Sequence, residues 1–387
     1  MILSPGTGRA GPALVFDTRS GEILHAYQAF TPWHPASLTK LMTAYVTFQA
    51  IRDGAITLQT PVRITARALA EPPSKMGFPV GTELSVEYAL RILMVKSAND
   101  IAVAIAETVG GSADAFVARM NSTARQLGMS DTTFVNPNGL HDPNQKTTAY
   151  DLALLTRALI RDYPQYQGFF DIQSIQVGQM TLRNHNKLIG RFRGADGMKT
   201  GYVCASGFNI VATATRGGRR LAAVVLGGLK SSLRDEVTAG LLEAGFEEGG
   251  GFSLLGKSGR PTLDTLARPA SIGMPVDMRP YVCSKKKAPA EYVSFGLDGG
   301  VSAAGASDPS RVINPAGNAL ALTSAAVVDL GSVVQPAKPV VAFDVPMPRP
   351  RPADAPKPGL FKNLVKASGA SNRSSAADAM PRANPLR

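Results

Sequence analysis

Apolar positions along the chain switch between a period of two and a period near 3.6, and the order of the switches outlines a fold. Residues 13–17 (Ala-Leu-Val-Phe-Asp) and 22–27 (Glu-Ile-Leu-His-Ala-Tyr) carry the short signal of strands, with Thr18-Arg19-Ser20-Gly21 as a hairpin turn between them. From Ser37 to about Arg52 the spacing is helical, and Asp53-Gly54 ends it. Residues 60–84 are broken by Pro61, Pro72, Pro73, Gly77, Pro79 and Gly81, a long connection of the kind that borders a site. Helical periodicity returns over residues 86–94, 101–109 and 113–127, with Gly110-Gly111 and Gly128 as stops, and again over 148–160 with Asp151 in the first turns. Residues 208–215 and 220–229 alternate as two strands around Arg216-Gly217-Gly218-Arg219, and a last helix spans about 233–246.

Hairpins at both ends of this run can share one antiparallel sheet, with the terminal helix on one face and the middle helices on the other. The expectation is a three-layer α/β (α+β) domain over residues 1–248, a central antiparallel sheet flanked by helices, near the upper limit for a single core. Beyond residue 249 the periodicity fades. Residues 249–387 hold 17 of the 28 prolines, with much Ala, Gly and Ser, and are expected to form a low-complexity, largely disordered basic tail. Within it, residues 319–334 are apolar enough for a strand or short helix, and Pro346 to Pro352 is polyproline-like. Gly359-Leu360-Phe361-Lys362-Asn363-Leu364-Val365-Lys366 has the spacing of a short amphipathic foot, a weak membrane contact.

Charge and cysteine content narrow the picture further. The chain has 387 residues, 44% of them hydrophobic, and a net charge of +12 carried mainly by the tail. A basic tail without a basic folded face does not point to nucleic acid as a partner. Cys204 and Cys283 give no metal pattern and no disulfide framework; one bridge between them is conceivable, and free thiols are expected. His25, His34, His141 and His185 lack ligand spacing, so no metal or other cofactor is expected. No run of 18 apolar residues would span a membrane, and Met1-Ile2-Leu3-Ser4-Pro5-Gly6 breaks before a signal-peptide core develops.

Candidate chemistry begins at Pro35-Ala36-Ser37-Leu38-Thr39-Lys40. On a helix, positions i and i+3 share a face, so Lys40 holds its amine beside the Ser37 hydroxyl. A desolvated lysine can take the proton that makes serine a nucleophile. Ser-x-x-Lys recurs at Ser284 to Lys287 in the tail, so the tetrad alone has little specificity, and helix capping would explain Ser37 equally well. Ser97-Ala98-Asn99 stands between two helices, where it can lift a hydroxyl and a carboxamide into a cleft or merely cap the next helix. Lys199-Thr200-Gly201 precedes the strand region; a strand edge there can pair with a peptide, with Lys199 and Thr200 holding a carboxylate.

The ordered trio Ser-x-x-Lys, Ser-x-Asn and Lys-Thr-Gly is the motif set of penicillin-binding proteins and class A β-lactamases. The chain resembles the serine D-alanyl-D-alanine carboxypeptidases, the low-molecular-mass penicillin-binding proteins of the S11 peptidase family. The resemblance extends through Phe16 to Leu24, Ser97-Ala98-Asn99-Asp100-Ile101-Ala102, Met120-Asn121, Leu127-Gly128-Met129, Phe134 to Leu140 and Asp196-Gly197-Met198-Lys199-Thr200-Gly201-Tyr202, about residues 11 to 247. It implies a β-lactamase/DD-peptidase-like fold. It also implies that Ser37 cuts between the two terminal D-alanines of a peptidoglycan stem pentapeptide, with Lys40 as base and Ser97 as proton relay. Asn99 would bond the substrate backbone, Lys199, Thr200 and Arg234 would receive the carboxylate, and the N–H groups of Ser37 and Tyr202, beside Gly201, would form the oxyanion hole. β-Lactams would acylate the same serine.

The resemblance implies a periplasmic or extracytoplasmic site of action. This conflicts with the missing signal peptide, and either a start downstream of the true one or a mature or truncated form is expected. Residues 249–387 do not look like the β-rich second domain of many relatives, and they lack a convincing C-terminal anchor. A lactamase of class A needs a deacylating glutamate between the second and third motifs. Between Thr108 and Asp196 there is none. Esterase or endopeptidase chemistry on the same scaffold stays open.

Overall fold

A computed structural model describes residues 11–177, 180–248, 260–269 and 273–284, with short strands at Arg311–Ile313, Ala319–Ala321 and Phe343–Val345. The first two of these pair with each other, and the first residues of the 319–334 stretch are therefore a strand as expected. The polyproline-like run and the amphipathic stretch at 359–366 lie outside the described residues.

The central sheet has five strands in the order β2-β1-β9-β8-β7, all antiparallel: β1 (Ala13–Asp17), β2 (Ile23–Tyr27), β7 (Ala195–Val203), β8 (Gly207–Arg216) and β9 (Arg219–Gly228). Period-two alternation divides their side chains between two cores. Leu14, Phe16 and Val224 join one apolar cluster, while Ala13, Val15 and Val225 join the other. The second cluster is closed by Val237, Ala239 and Leu242 of the terminal helix α7 (Ser231–Glu248). The first is covered by the middle helices α1 (Thr39–Arg52), α3 (Val86–Val95), α4 (Asn99–Gly110), α5 (Ala113–Gln126) and α6 (Ala149–Asp162). The short elements β3 (Pro61–Arg63), α2 (Ala66–Ala70) and β4 (Glu83–Ser85) fill the connection between α1 and α3. The hairpin β5 (Ser174–Val177) and β6 (Met180–Arg183) follows α6.

Helix α1 is buried almost all round, from Thr39 to Phe48, as a helix in the centre of a domain must be. Its apolar side chains hold the N-terminal end that carries Ser37 against the rest of the domain. Among the described residues no single helix is long and apolar enough to cross a membrane.

Parts of the expected tail pack on the domain: residues 260–269 and 273–284 lie against the sheet and helices. Ile23 donates its N–H to Pro261 O, Leu263 donates to Gly21 O, and the Leu263 side chain is buried. Arg268 pairs with Asp131 and Asp151 and lies over the Tyr150 ring. These are single anchors in a proline-rich chain without periodicity, so no sequence pattern reports them. Cys204 and Cys283 are not free thiols: they are bonded to each other. Their separation of 79 residues carries no pairing signal; the docked tail brings them together.

Candidate active site

Three elements converge on Ser37. The chain enters through Trp33, whose indole N–H donates to Ser206 O, and through His34 and Pro35, whose carbonyls accept from the Asn209 carboxamide. Ala36–Leu38 form a 3-10 turn that runs into α1, and Ala36 takes a positive φ of 49°. Ser37 is half-open amid buried neighbours, and no side chain caps α1. The capping explanation for Ser37 therefore fails.

Lys40 lies one turn along, fully buried, with Nζ 3.0 Å from Ser37 Oγ. Nζ also reaches Asn99 Oδ1 at 2.8 Å and Asn138 O at 2.5 Å. Burial lowers the Lys40 pKa well below the usual lysine range, and the nearby Lys199 cation adds to this; the Glu71 and Asp100 carboxylates act in the opposite direction. An amine so placed is driven toward the free base that a serine nucleophile requires.

The second motif sits at the N-terminal end of α4. Ser97 has φ +60°, a left-handed conformation that costs a non-glycine residue about 1–2 kcal/mol. That turn buries its hydroxyl, which has no hydrogen-bond partner among the described residues. Neither Ser97 nor Asn99 caps the helix; the N-cap position is Ala98. Asn99 Oδ1 accepts from Lys40 and Nδ2 donates to Pro72 O at 3.0 Å, so the amide orients the lysine and keeps one N–H to offer.

The third motif lies on β7, an edge strand paired on one side to β8. Gly201 runs against the serine turn: a Cβ there would lie 3.0 Å from both Pro35 O and Ser37 N. Lys199 is buried with Nζ on Thr200 O at 2.8 Å, and burial together with the Arg234 cation lowers its pKa to about 7. Thr200 is buried and Tyr202 is exposed. Arg234 is buried in α7, paired with its neighbour Asp235 and donating to the carbonyl of Asn209, which stands opposite Gly201 in register. Ser37, Lys40, Asn99 and Gly201 thus meet directly; Ser97 stands two residues before Asn99, Thr200 and Tyr202 flank Gly201 on β7, and Lys199 feels the Arg234 cation.

Two supports carried no motif signal of their own. Asn138, marked in the sequence only within the Phe134 to Leu140 stretch of the resemblance, gives its carbonyl to Lys40 and donates its amide to Glu71 Oε2 at 2.8 Å. Gly139, with φ +87°, lets the loop press on the Ala36 carbonyl where any Cβ would collide. Glu71 lies in the proline-rich connection and borders a cavity of about 210 Å³ shared with Arg67, Asp114 and Asn138. No group of three or more metal-ligating side chains occurs among the described residues.

A serine with an adjoining buried amine, a second buried hydroxyl and a strand edge is the set of groups that acyl-serine chemistry requires. Residues 2–230 match the D-alanyl-D-alanine carboxypeptidase family, peptidase S11, and the chain belongs to that family. It is similar to the D-alanyl-D-alanine carboxypeptidase DacD of Salmonella typhimurium, 37% identical over 243 residues, 61% of this chain and 62% of the relative. The chain thus matches less than two thirds of that relative's length. Among solved structures it is similar to penicillin binding protein 6B from Escherichia coli (TM-score 0.59, 36% identity, 63% of this chain and 79% of the other). It is also similar to Penicillin-Binding Protein D2 from Listeria monocytogenes in its cefotaxime-bound form (TM-score 0.56, 30% identity, 63% and 100%).

Proposed function

We propose that this chain is a serine D-alanyl-D-alanine carboxypeptidase that removes the terminal D-alanine from peptidoglycan stem pentapeptides and is acylated by β-lactams. The observation that carries the reading is the buried Lys40 amine 3.0 Å from a half-open Ser37 hydroxyl, beside a strand edge that is unpaired among the described residues and can take a peptide.

The substrate lies along β7 with its terminal carboxylate at Thr200 and the Lys199 ammonium. Lys40 takes the Ser37 proton as Oγ attacks the scissile carbonyl. The oxyanion rests on the N–H groups of Ser37 and Tyr202, which the close approach of Gly201 brings together. As the C–N bond breaks, the proton passes from Lys40 through the Ser97 hydroxyl to the leaving amine, and D-alanine departs. Water then attacks the ester, Lys40 again accepts a proton, and the shortened peptide leaves with Ser37 restored. Neither step requires a metal or other cofactor.

Such a substrate lies outside the cytoplasm, and the Cys204–Cys283 bond supports an oxidising compartment. Incubation with labelled penicillin tests the mechanism: one adduct on Ser37, none on Ser37→Ala. An unlabelled, folded wild-type protein would overturn it. D-alanine release from a pentapeptide, compared with hydrolysis of a chromogenic cephalosporin, tests the substrate. Rapid cephalosporin turnover without D-alanine would make the protein a lactamase instead.

A further inference from the structure

The tail segment around α8 (Arg279–Val282) does more than cover the surface. It touches both walls that flank Ser37. On the strand side, Cys283 is bonded to Cys204 just beyond β7, Met278 N donates to Ala205 O at 3.0 Å, and the Met278 side chain is fully buried. Cys283 Sγ also lies 3.1 Å from the Tyr202 hydroxyl. On the loop side, Arg279 Nη2 donates to His141 Nε2 at 2.8 Å. His141 follows the loop whose Asn138 carbonyl receives Lys40, and its ring meets His34 edge-on.

The direction of the substrate says which end of the cleft this bridge closes. The following rests on the reading above. With the leaving carboxylate at Thr200 and the attacked carbonyl at Tyr202 N–H, the rest of the peptide runs antiparallel to β7. It passes toward Val203 and Cys204 at about 3.3 Å per residue. The residue preceding the two D-alanines therefore arrives at the bridge within one or two strand positions.

We propose that residues 277–283 form the donor-side wall of the cleft and that Arg279 makes it selective for a stem peptide with a free carboxylate upstream of the two D-alanines. Its guanidinium is half exposed. Asp277 takes Nε at 3.3 Å and His141 takes one Nη2 hydrogen, which leaves the Nη1 edge and the other Nη2 hydrogen for a carboxylate. Burial, with the nearby His34 and Arg279, lowers the His141 pKa, so its neutral ring accepts from the arginine and fixes its direction.

The test is D-alanine release from two pentapeptide mimics that differ only in the third residue, a free carboxylate in one and its carboxamide in the other. Wild type is expected to prefer the carboxylate about threefold in kcat/KM, the scale of one exposed charge pair. Arg279→Gln should level the two peptides. Asp277→Asn, which removes a competing carboxylate, should widen the preference; a merely structural role would move both variants the same way. Cys204→Ser/Cys283→Ser, which frees the bridge, should also level them. Stoichiometric penicillin labelling of each variant establishes that it is folded. Absence of a preference in wild type, or a preference that survives Arg279→Gln, would overturn the proposal while leaving the carboxypeptidase reading intact. No D-alanine from either peptide would overturn that reading and this one together.

Discussion

In the proposed mechanism, two buried lysines of depressed pKa divide the work at the residue scale. Lys40 must be free base to take the serine proton, and Lys199 must be an ammonium to hold a carboxylate. Activity therefore rises with pH as Lys40 deprotonates and falls as Lys199, with its pKa lowered to about 7, loses its proton. Arg234 is one cause of the low Lys199 value, so Arg234→Gln should move the descending limb of the kcat/KM profile to higher pH even as kcat/KM falls. An unmoved limb would remove Arg234 from that role. Three charges act on the Lys40 amine: Lys199 lowers its pKa, while Glu71 and Asp100 raise it. Glu71→Gln keeps an oxygen for Asn138 and removes the charge, so the ascending limb should shift to lower pH. A shift the other way would mean that Glu71 acts through shape alone.

Two backbones are forced together over the nucleophile at the element scale. β7 was legible only as the third motif before a strand region; its place at the sheet edge, beyond β8, belongs to the fold. The loop at residues 136–140 was legible as part of the family resemblance but not as a support for Lys40, because the partner atom is a main-chain carbonyl and any residue type supplies one. Gly139 shows why the loop is demanding: its φ is +87°, and a methyl group would strike Ala36 O. Gly139→Ala should displace the serine turn and slow penicillin acylation about 100-fold, as ångström-scale misplacement of a reacting group does. Stopped-flow labelling measures this, and a rate within twofold of wild type would show that the turn tolerates the shift.

At the scale of the molecule, residues 260–269 and 273–284 of the tail pack on the sheet and helices, and Phe343–Val345 pairs with β5. One anchor is the pair between Arg268 and the fully buried Asp151, a carboxylate that burial pushes up to about 6 against the pull of Thr132 and Arg268. Removing the arginine leaves an uncompensated buried charge. The loss falls below the 3–5 kcal/mol of a fully buried pair because the Arg268 side chain is 31% exposed. Arg268→Ala should therefore cost about 2 kcal/mol in denaturant unfolding at neutral pH. The loss should shrink as pH falls below 6 and Asp151 takes up a proton. An unchanged midpoint would mean that the segment docks without it.

The sequence alone determined the layer order and the central helix and singled out Ser37 as the candidate nucleophile, because periodicity and short motifs are local and each is written in neighbouring residues. Tertiary structure decided the rest. Glu71, the Asn138 carbonyl, the Cys204–Cys283 bond and the bridge at Arg279 depend on segments far apart in the chain that meet only after the sheet has closed. Contacts of that kind use single residues or bare backbone, whose identities carry no period and no spacing, so only the folded chain displays them.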